Sequence, residues 1–428
     1  MRSVFANKEK IPGGLVVFAL MFCFFSAYGQ NRQYAVALID TLSSPFFHGR
    51  GYVHEGAGRA AAFISDEFSK LGLDSFNEGY FQDFNLSINT FPGEMEVQID
   101  GHKQLPGRDF VVESNSPSIN GTFPLYRFLK DSAGAPRAGG DHGMIDISQG
   151  FVVTDMDRRD FEGAGFGAAG IVFLEENIWW HVSRAFEVKD YVSVRMLPSA
   201  VPESADSITI NVENRFFSDY PVSNVIGWLP GNKQPERYMA VTAHYDHLGR
   251  MGSKTYFPGA HDNASGVAMM LDLASYFSEP ENRPGFSLVF MAFAAEEAGL
   301  KGSTHYVENP LFPLEDMRFL INLDMVGSGS DGIMVVNGAV REKEYERMVK
   351  INSENEYILT VKKRGEAANS DHHPFHTRGV PAVFIYTLGD ECREYHNPDD
   401  TPGNVPFTEY EDVFRLIRDF IQSMPADP

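Results

Sequence analysis

Apolar residues recur along this chain at two spacings, and the change from one to the other divides it. In Arg59-Ala-Ala-Ala-Phe-Ile-Ser-Asp-Glu-Phe-Ser-Lys-Leu71 they fall three and four apart, and Gly72 follows as a stop. Residues 32–76 are predicted to be helical. From about 95 to 215 the texture is different. Short apolar runs such as Gly150-Phe-Val-Val-Thr154, Ala169-Gly-Ile-Val-Phe-Leu174 and Ile208-Thr-Ile-Asn-Val212 alternate with Gly- and Pro-marked turns, which predicts short strands. From about 222 onward, unbroken apolar runs at 238–243, 286–294, 319–323 and 380–386 read as buried strands. Helical periods lie among them, one at 266–277 with Val267, Met270, Leu271, Ala274 and Phe277 on one face. The last helix carries Val413, Leu416, Ile417 and Phe420 and is preceded by Thr408-Glu-Tyr-Glu411, the pattern of a capping box.

Strands alternating with helices predict an α/β fold. The expected architecture is a mostly parallel mixed sheet with helices on both faces, interrupted by a small β-rich inserted domain. The expected domains are 30–94 with 216–428 as one unit and 95–215 as the insertion. The inserted region contains no His/Asp/Glu cluster at ligand spacing, and its Trp179-Trp180 pair reads first as packing and second as cleft lining.

The N-terminal residues follow another logic. Basic Arg2, Lys8 and Lys10 precede an apolar run from Leu15 to Phe25, and Ala27-Tyr28-Gly29 follows as a small-x-small site. That order is a secretory signal peptide over residues 1–29, and the run is shorter than the ~20 residues a spanning helix needs. The expectation is an exported protein, periplasmic or secreted, with no membrane span after cleavage.

Composition narrows the chemistry. The 428 residues carry 58 acidic and 36 basic side chains, a net charge of -22, so the basic face that nucleic acid requires is not expected. Of the two cysteines, Cys23 lies in the leader and Cys392 is left alone. No internal disulfide and no thiolate metal site can form from one cysteine, so any metal must sit on His and carboxylates.

Ligands in open α/β sheets bind beyond the carboxyl ends of strands. After 238–243 comes His244-Tyr-Asp246; after 286–294 come Glu296 and Glu297; after 319–323 comes Asp324; ten residues beyond 380–386 sits His396. A turn with His261-Asp262-Asn-Ala-Ser-Gly266 opens the helix between the first two strands. Each alone has an ordinary explanation as surface, cap or hydrogen-bonded side chain. Together they put metal-type ligands at one sheet edge, suited to Zn²⁺ and tolerant of Co²⁺ or Mn²⁺, with room for two ions at ~3.5–4 Å.

These residues, taken as an ordered set, resemble the M28-type zinc aminopeptidases. The set is His244-Tyr-Asp-His-Leu-Gly249, Asp262-Asn-Ala-Ser-Gly266, Ala295-Glu-Glu-Ala-Gly-Leu-Lys-Gly-Ser303, Asn322-Leu-Asp-Met325, Ser370-Asp-His372 and Tyr395-His396. Ser43-Ser-Pro-Phe-Phe-His-Gly-Arg50 resembles that family's N-terminal segment, and 95–215 its protease-associated insertion. The resemblance implies two Zn²⁺ per chain and a peptide substrate. Asp262 would bridge the ions, with His244 and Asp324 completing one and Glu297 and His396 the other. Glu296 would be the general base, Asp246 would hydrogen-bond the far nitrogen of His244, and Tyr395 would donate to the developing oxyanion. Asp371 and His372 would lie outside the ligand set or toward the substrate.

The resemblance also implies a cis peptide after Asp262. The chain departs from the family in having His261 where Asp is commoner, and in lacking a second cysteine near Cys392. A carboxypeptidase, a single-zinc glutaminyl cyclase-like enzyme and an inactive binding protein are the competing readings. The full set of five ligands plus Glu296 favours two metals and catalysis over the last two.

Overall fold

A computed structural model describes residues 31–130, 136–138, 147–158 and 167–425, so the leader at 1–29 lies outside the described residues. Among the described residues the strands form an eight-stranded sheet, a nine-stranded sheet and a small two-stranded ribbon.

The eight-stranded sheet carries the candidate ligands. Its strands, numbered among themselves, are β1 (Phe81–Thr90), β2 (Arg215–Leu229), β3 (Gln234–His244), β4 (Phe286–Phe293), β5 (Met317–Leu323), β6 (Ile333–Val336), β7 (Val361–Lys363) and β8 (Ala382–Thr387). Their spatial order is β1-β2-β4-β3-β5-β8-β6-β7. The inner four, β4, β3, β5 and β8, are parallel to one another; β2 pairs antiparallel with both β1 and β4, and β6 pairs antiparallel with β8 and parallel with β7.

The unbroken apolar runs are explained by burial on both faces. Along β3, β4 and β5 alternate residues enter different clusters. Val241, Phe290 and Ile321 pack on one side, and Ala240, Met291 and Leu320 on the other. The first side is covered by helices α1 (Arg32–Leu42), α2 (Gly56–Lys70), α3 (Ser265–Ser278), α5 (Glu342–Asn355) and α7 (Tyr410–Ser423). The second is covered by α4 (Lys301–Glu308) and α6 (His372–Thr377), through Tyr306 and Phe375.

Two predicted helical features differ from the structure. The helix expected over 32–76 is two helices, because Pro45 opens a tight turn at Pro45–Arg50 in which His48 (φ 49°) and Gly49 (φ 69°) leave the helical region. The expected capping box does not form. Helix α7 begins at Tyr410 behind Glu409 without a side-chain cap, and the Thr408 side chain hydrogen-bonds Glu391 instead.

The nine-stranded sheet is built from residues between Met95 and Val212. The chain leaves the central sheet along β1 and returns along β2, and these two pair antiparallel from Phe81↔Val225 to Thr90↔Arg215.

Candidate active site

Parallel pairing of β4, β3 and β5 brings three strand ends side by side. His244 is the last residue of β3, Asp324 follows β5, and Glu296 and Glu297 follow β4. Asp262 comes from the turn Ala260–Ala264 ahead of α3, and His396 from the loop after β8. The Asp262–Asn263 peptide is cis.

The side chains converge. Asp262 Oδ1 is 3.5 Å from His244 Nε2, and Asp262 Oδ2 is 3.0 Å from His396 Nε2. His244 Nε2 also lies 3.4 Å from Asp324 Oδ1, and His396 Nε2 lies 3.3 Å from Glu297 Oε1. Each oxygen of one carboxylate thus faces a different imidazole, and each imidazole has a second carboxylate of its own. All five residues are buried.

Burial alone would push the carboxyls of Asp262 and Glu297 up. Hydrogen bonds from His244 and His396 nevertheless hold Asp262 well below the usual range, and the charge of His396 helps hold Glu297 at about 2. Burial works against protonation of both imidazoles, but the surrounding carboxylates raise their affinity for a proton well above the ordinary value. So much buried negative charge calls for cations. The donors fit zinc: His244, Asp262 and Asp324 lie close enough to share an ion, His247, Asp262 and Glu297 form a second such group, and His396 touches both carboxylates of the second. Asp324 Oδ1 is buried and makes no hydrogen bond within the protein.

Glu296 lines the cavity beside these groups. Burial, with the nearby charges of Asp371, Glu297 and Asp324, pushes its carboxyl well above the ordinary range, while the charge of His244 opposes this.

Asp246 is placed differently from the expectation. The far nitrogen of His244 lies 3.1 Å from the Asp246 main-chain carbonyl, and the Asp246 carboxylate is 3.8 Å away. That carboxylate instead accepts the main-chain N–H groups of Glu296 (3.0 Å) and Glu297 (3.3 Å) and the Tyr52 hydroxyl (3.3 Å). It therefore holds the Glu-Glu turn rather than the imidazole. Tyr395 stacks on His396, ring centroids 3.8 Å apart, and lines the cavity. Asp371 lies behind the site, where burial pushes it up to about 7 although the Ser303 hydroxyl donates to it at 2.5 Å. His372 packs against Phe384.

Three functional neighbours were not singled out from the sequence. His247 Nδ1 is 2.9 Å from Glu297 Oε1, and its motif, His244-Tyr-Asp-His247, was the available signal. Arg50 is fully buried and donates to five main-chain carbonyls, those of Leu42, Tyr245, Pro258, Gly259 and Asp262. Asp400 accepts the N–H groups of His261 (2.7 Å) and Asp262 (3.0 Å). The turn bearing Asp262 is thus gripped from both sides. Asn263 completes the grip, accepting from Met325 N–H and donating to the Leu323 carbonyl. Gly266 is required by that closeness, since a Cβ there would lie 2.4 Å from the Leu323 oxygen.

The cavity measures about 290 Å³; Met325, Asn369, Phe384, Tyr386 and Tyr395 complete its wall.

Comparison with known proteins bears directly on this geometry. The family model described as Peptidase family M28 matches residues 224–421. Aminopeptidase YwaD of Bacillus subtilis is 31% identical over 369 residues, covering 80% of this chain and 74% of that protein. Among solved structures, BSAP, a zinc aminopeptidase from Bacillus subtilis, has a TM-score of 0.68 at 20% identity, covering 92% of this chain and 96% of its own. A peptidase M28 precursor from Shewanella amazonensis has a TM-score of 0.69 at 16% identity, covering 92% and 93%. These two likenesses establish the fold.

Proposed function

The chain belongs to peptidase family M28, and on that footing we propose that it is an exported zinc aminopeptidase, removing residues from the N-terminus of peptides. The observation that carries this reading is the double facing of Asp262, one oxygen toward His244 and the other toward His396. His244, Asp262 and Asp324 would hold one zinc ion, and Asp262, Glu297 and His396 a second. Zinc in such a site supplies a water of lowered pKa and polarises a peptide carbonyl.

The remaining work falls to the chain's own residues. Glu296 takes the proton of the attacking water and returns it to the leaving amine. Asp246, by accepting the Glu296 N–H, fixes where that carboxylate stands. The Tyr395 hydroxyl donates to the oxyanion as it develops.

The sign of the cavity favours an aminopeptidase over a carboxypeptidase. Glu296, the lining carboxylate left outside the ligand set, can meet a protonated substrate amine, whereas the described residues lining the cavity include no Lys or Arg to receive a substrate carboxylate. Export is read from the leader pattern at 1–29, and residues 95–215 are read as a protease-associated-like domain.

The test is to incubate the zinc-loaded chain with a peptide mixture and read product masses. N-terminal shortening that N-acetylation abolishes is expected. C-terminal shortening would select the carboxypeptidase, and ammonia loss without cleavage the cyclase. Export is tested by the N-terminal residue of the protein recovered outside the cytoplasm, Gln30 being expected.

A further inference from the structure

The nine-stranded sheet reaches into the candidate active site. The loop between its strands Gly170–Leu174 and Val192–Met196 carries Trp179, Trp180 and His181. Trp180 is buried and fastens the loop to both parts of the molecule. Its main-chain N–H donates to the His396 carbonyl (3.2 Å), its indole N–H donates to Val112 (2.8 Å), and its ring packs on Phe257 at 4.9 Å. Arg195 donates to the Trp179 carbonyl and is itself paired with Glu113 (2.6 Å). The His181 ring lies 4.7 Å from that of His396.

Trp179 is the member of this trio that faces outward with a large apolar surface. It is 45% exposed, and its ring meets Tyr395 edge to face at 5.8 Å and 79°. Tyr395 is a wall of the cavity, so the exposed indole stands on the cavity's rim. A terminal residue held against the ligands leaves the rest of its peptide to pass over that rim. A rigidly mounted indole there offers a wide apolar face at small entropic cost.

We propose that Trp179 is a specificity-determining residue, contributed by the inserted sheet, that contacts the side chain just beyond the scissile bond and favours an aromatic or large apolar second residue. The inference rests on the aminopeptidase reading for its direction along the peptide. It gives the inserted sheet a share in substrate choice that the ligand set alone does not have.

The test uses the full zinc-loaded chain carrying Glu296→Gln, so that dipeptide binding is read while turnover is slowed. Dissociation constants for Leu-Phe and Leu-Gly are measured by calorimetry with Trp179 intact and with Trp179→Ala or Trp179→Phe. Leu-Phe is expected to bind roughly five-fold more tightly than Leu-Gly, the ratio an aromatic contact of ordinary strength gives. Trp179→Ala should bring the ratio near one, and Trp179→Phe should keep most of it. An equal ratio in all three chains, or no binding of either dipeptide, overturns the proposal. Cleavage of the same dipeptides by the chain with Glu296 intact is scored separately. A Trp179-dependent ratio without cleavage would defeat the aminopeptidase reading and leave the contact standing.

Discussion

The carboxylate of Asp400 accepts the main-chain N–H of Asp262 at 3.0 Å, across 138 positions of sequence. Its other oxygen accepts the His261 N–H at 2.7 Å, so both acceptors point at the turn that carries the central ligand. Asp400→Asn keeps the size and replaces one acceptor with a donor that opposes an N–H. We expect a loss of about 1–3 kcal/mol of stability and weaker zinc binding. Denaturant unfolding and zinc titration check this; unchanged zinc affinity would remove the positioning role.

Arg50 grips the same turn from the carbonyl side. Burial pushes its guanidinium down to about 10, and the charges of Asp400, Asp262, Asp246 and Glu297 oppose that. A lysine cannot reach five carbonyls with one ammonium, so Arg50→Lys should cost about 2–4 kcal/mol. Urea unfolding of the metal-free chain reads this directly, separating it from zinc binding.

Glu296→Gln should retain zinc and lower kcat by roughly 10²–10⁴-fold, the usual size of general-base catalysis. A variant that holds zinc and turns over at the parental rate would refute the assignment.

Zinc contributes to stability as any ligand of the folded state does, by about 2.7 kcal/mol at a hundred-fold excess over Kd. Chelation should therefore lower Tm, and in His396→Ala the zinc-dependent part of Tm should shrink. Metal content by mass spectrometry gives the independent check.

Glu391 provides a pH dependence away from the ligands. Burial raises its pKa, but the Ser330 hydroxyl and N–H and the Thr408 hydroxyl outweigh this and hold it at about 2. A depressed carboxylate stabilises the fold fully above its ordinary value near ~4.3, and the contribution is lost as pH falls through about 2. Glu391→Gln should be less stable than the parent at pH 6, with the gap closing toward pH 2. Circular dichroism melts at a series of pH values test the sign.

The parts legible in the sequence are those whose pattern is local. The strands ending at His244, Phe293 and Leu323 are apolar on both faces, so they read as unbroken runs, and the polar residues just after them stand out. Arg50 and Asp400 were not legible as site residues because their partners are main-chain atoms. A carbonyl 195 positions away, as Tyr245 is from Arg50, leaves no trace in residue type. The Thr408 cap failed for a related reason, its hydroxyl being drawn to Glu391, a partner outside the local motif. The Asp246 contact was misread because side chain and main chain of one residue competed for the same imidazole, and the amides after β4 drew the carboxylate away.

The pairing of Thr90 with Arg215 closes a circuit of 125 positions at one edge of the central sheet. Loop closure grows only logarithmically with length, so the size of the excursion is nearly a free variable for the sheet that hosts it. The hydrogen-bonded ribbon of β1 and β2 works as a graft junction. The register of the strands that deliver His244, Glu296 and Asp324 is set by their own parallel pairing, not by the length of the excursion. Two of its loops lean back onto the segment around His396: the Trp180 N–H donates to the His396 carbonyl, and Arg108 pairs with Asp399 at 2.5 Å. Exchanging the excursion would therefore leave the strand ends in place and remake the surroundings of the loop that carries His396.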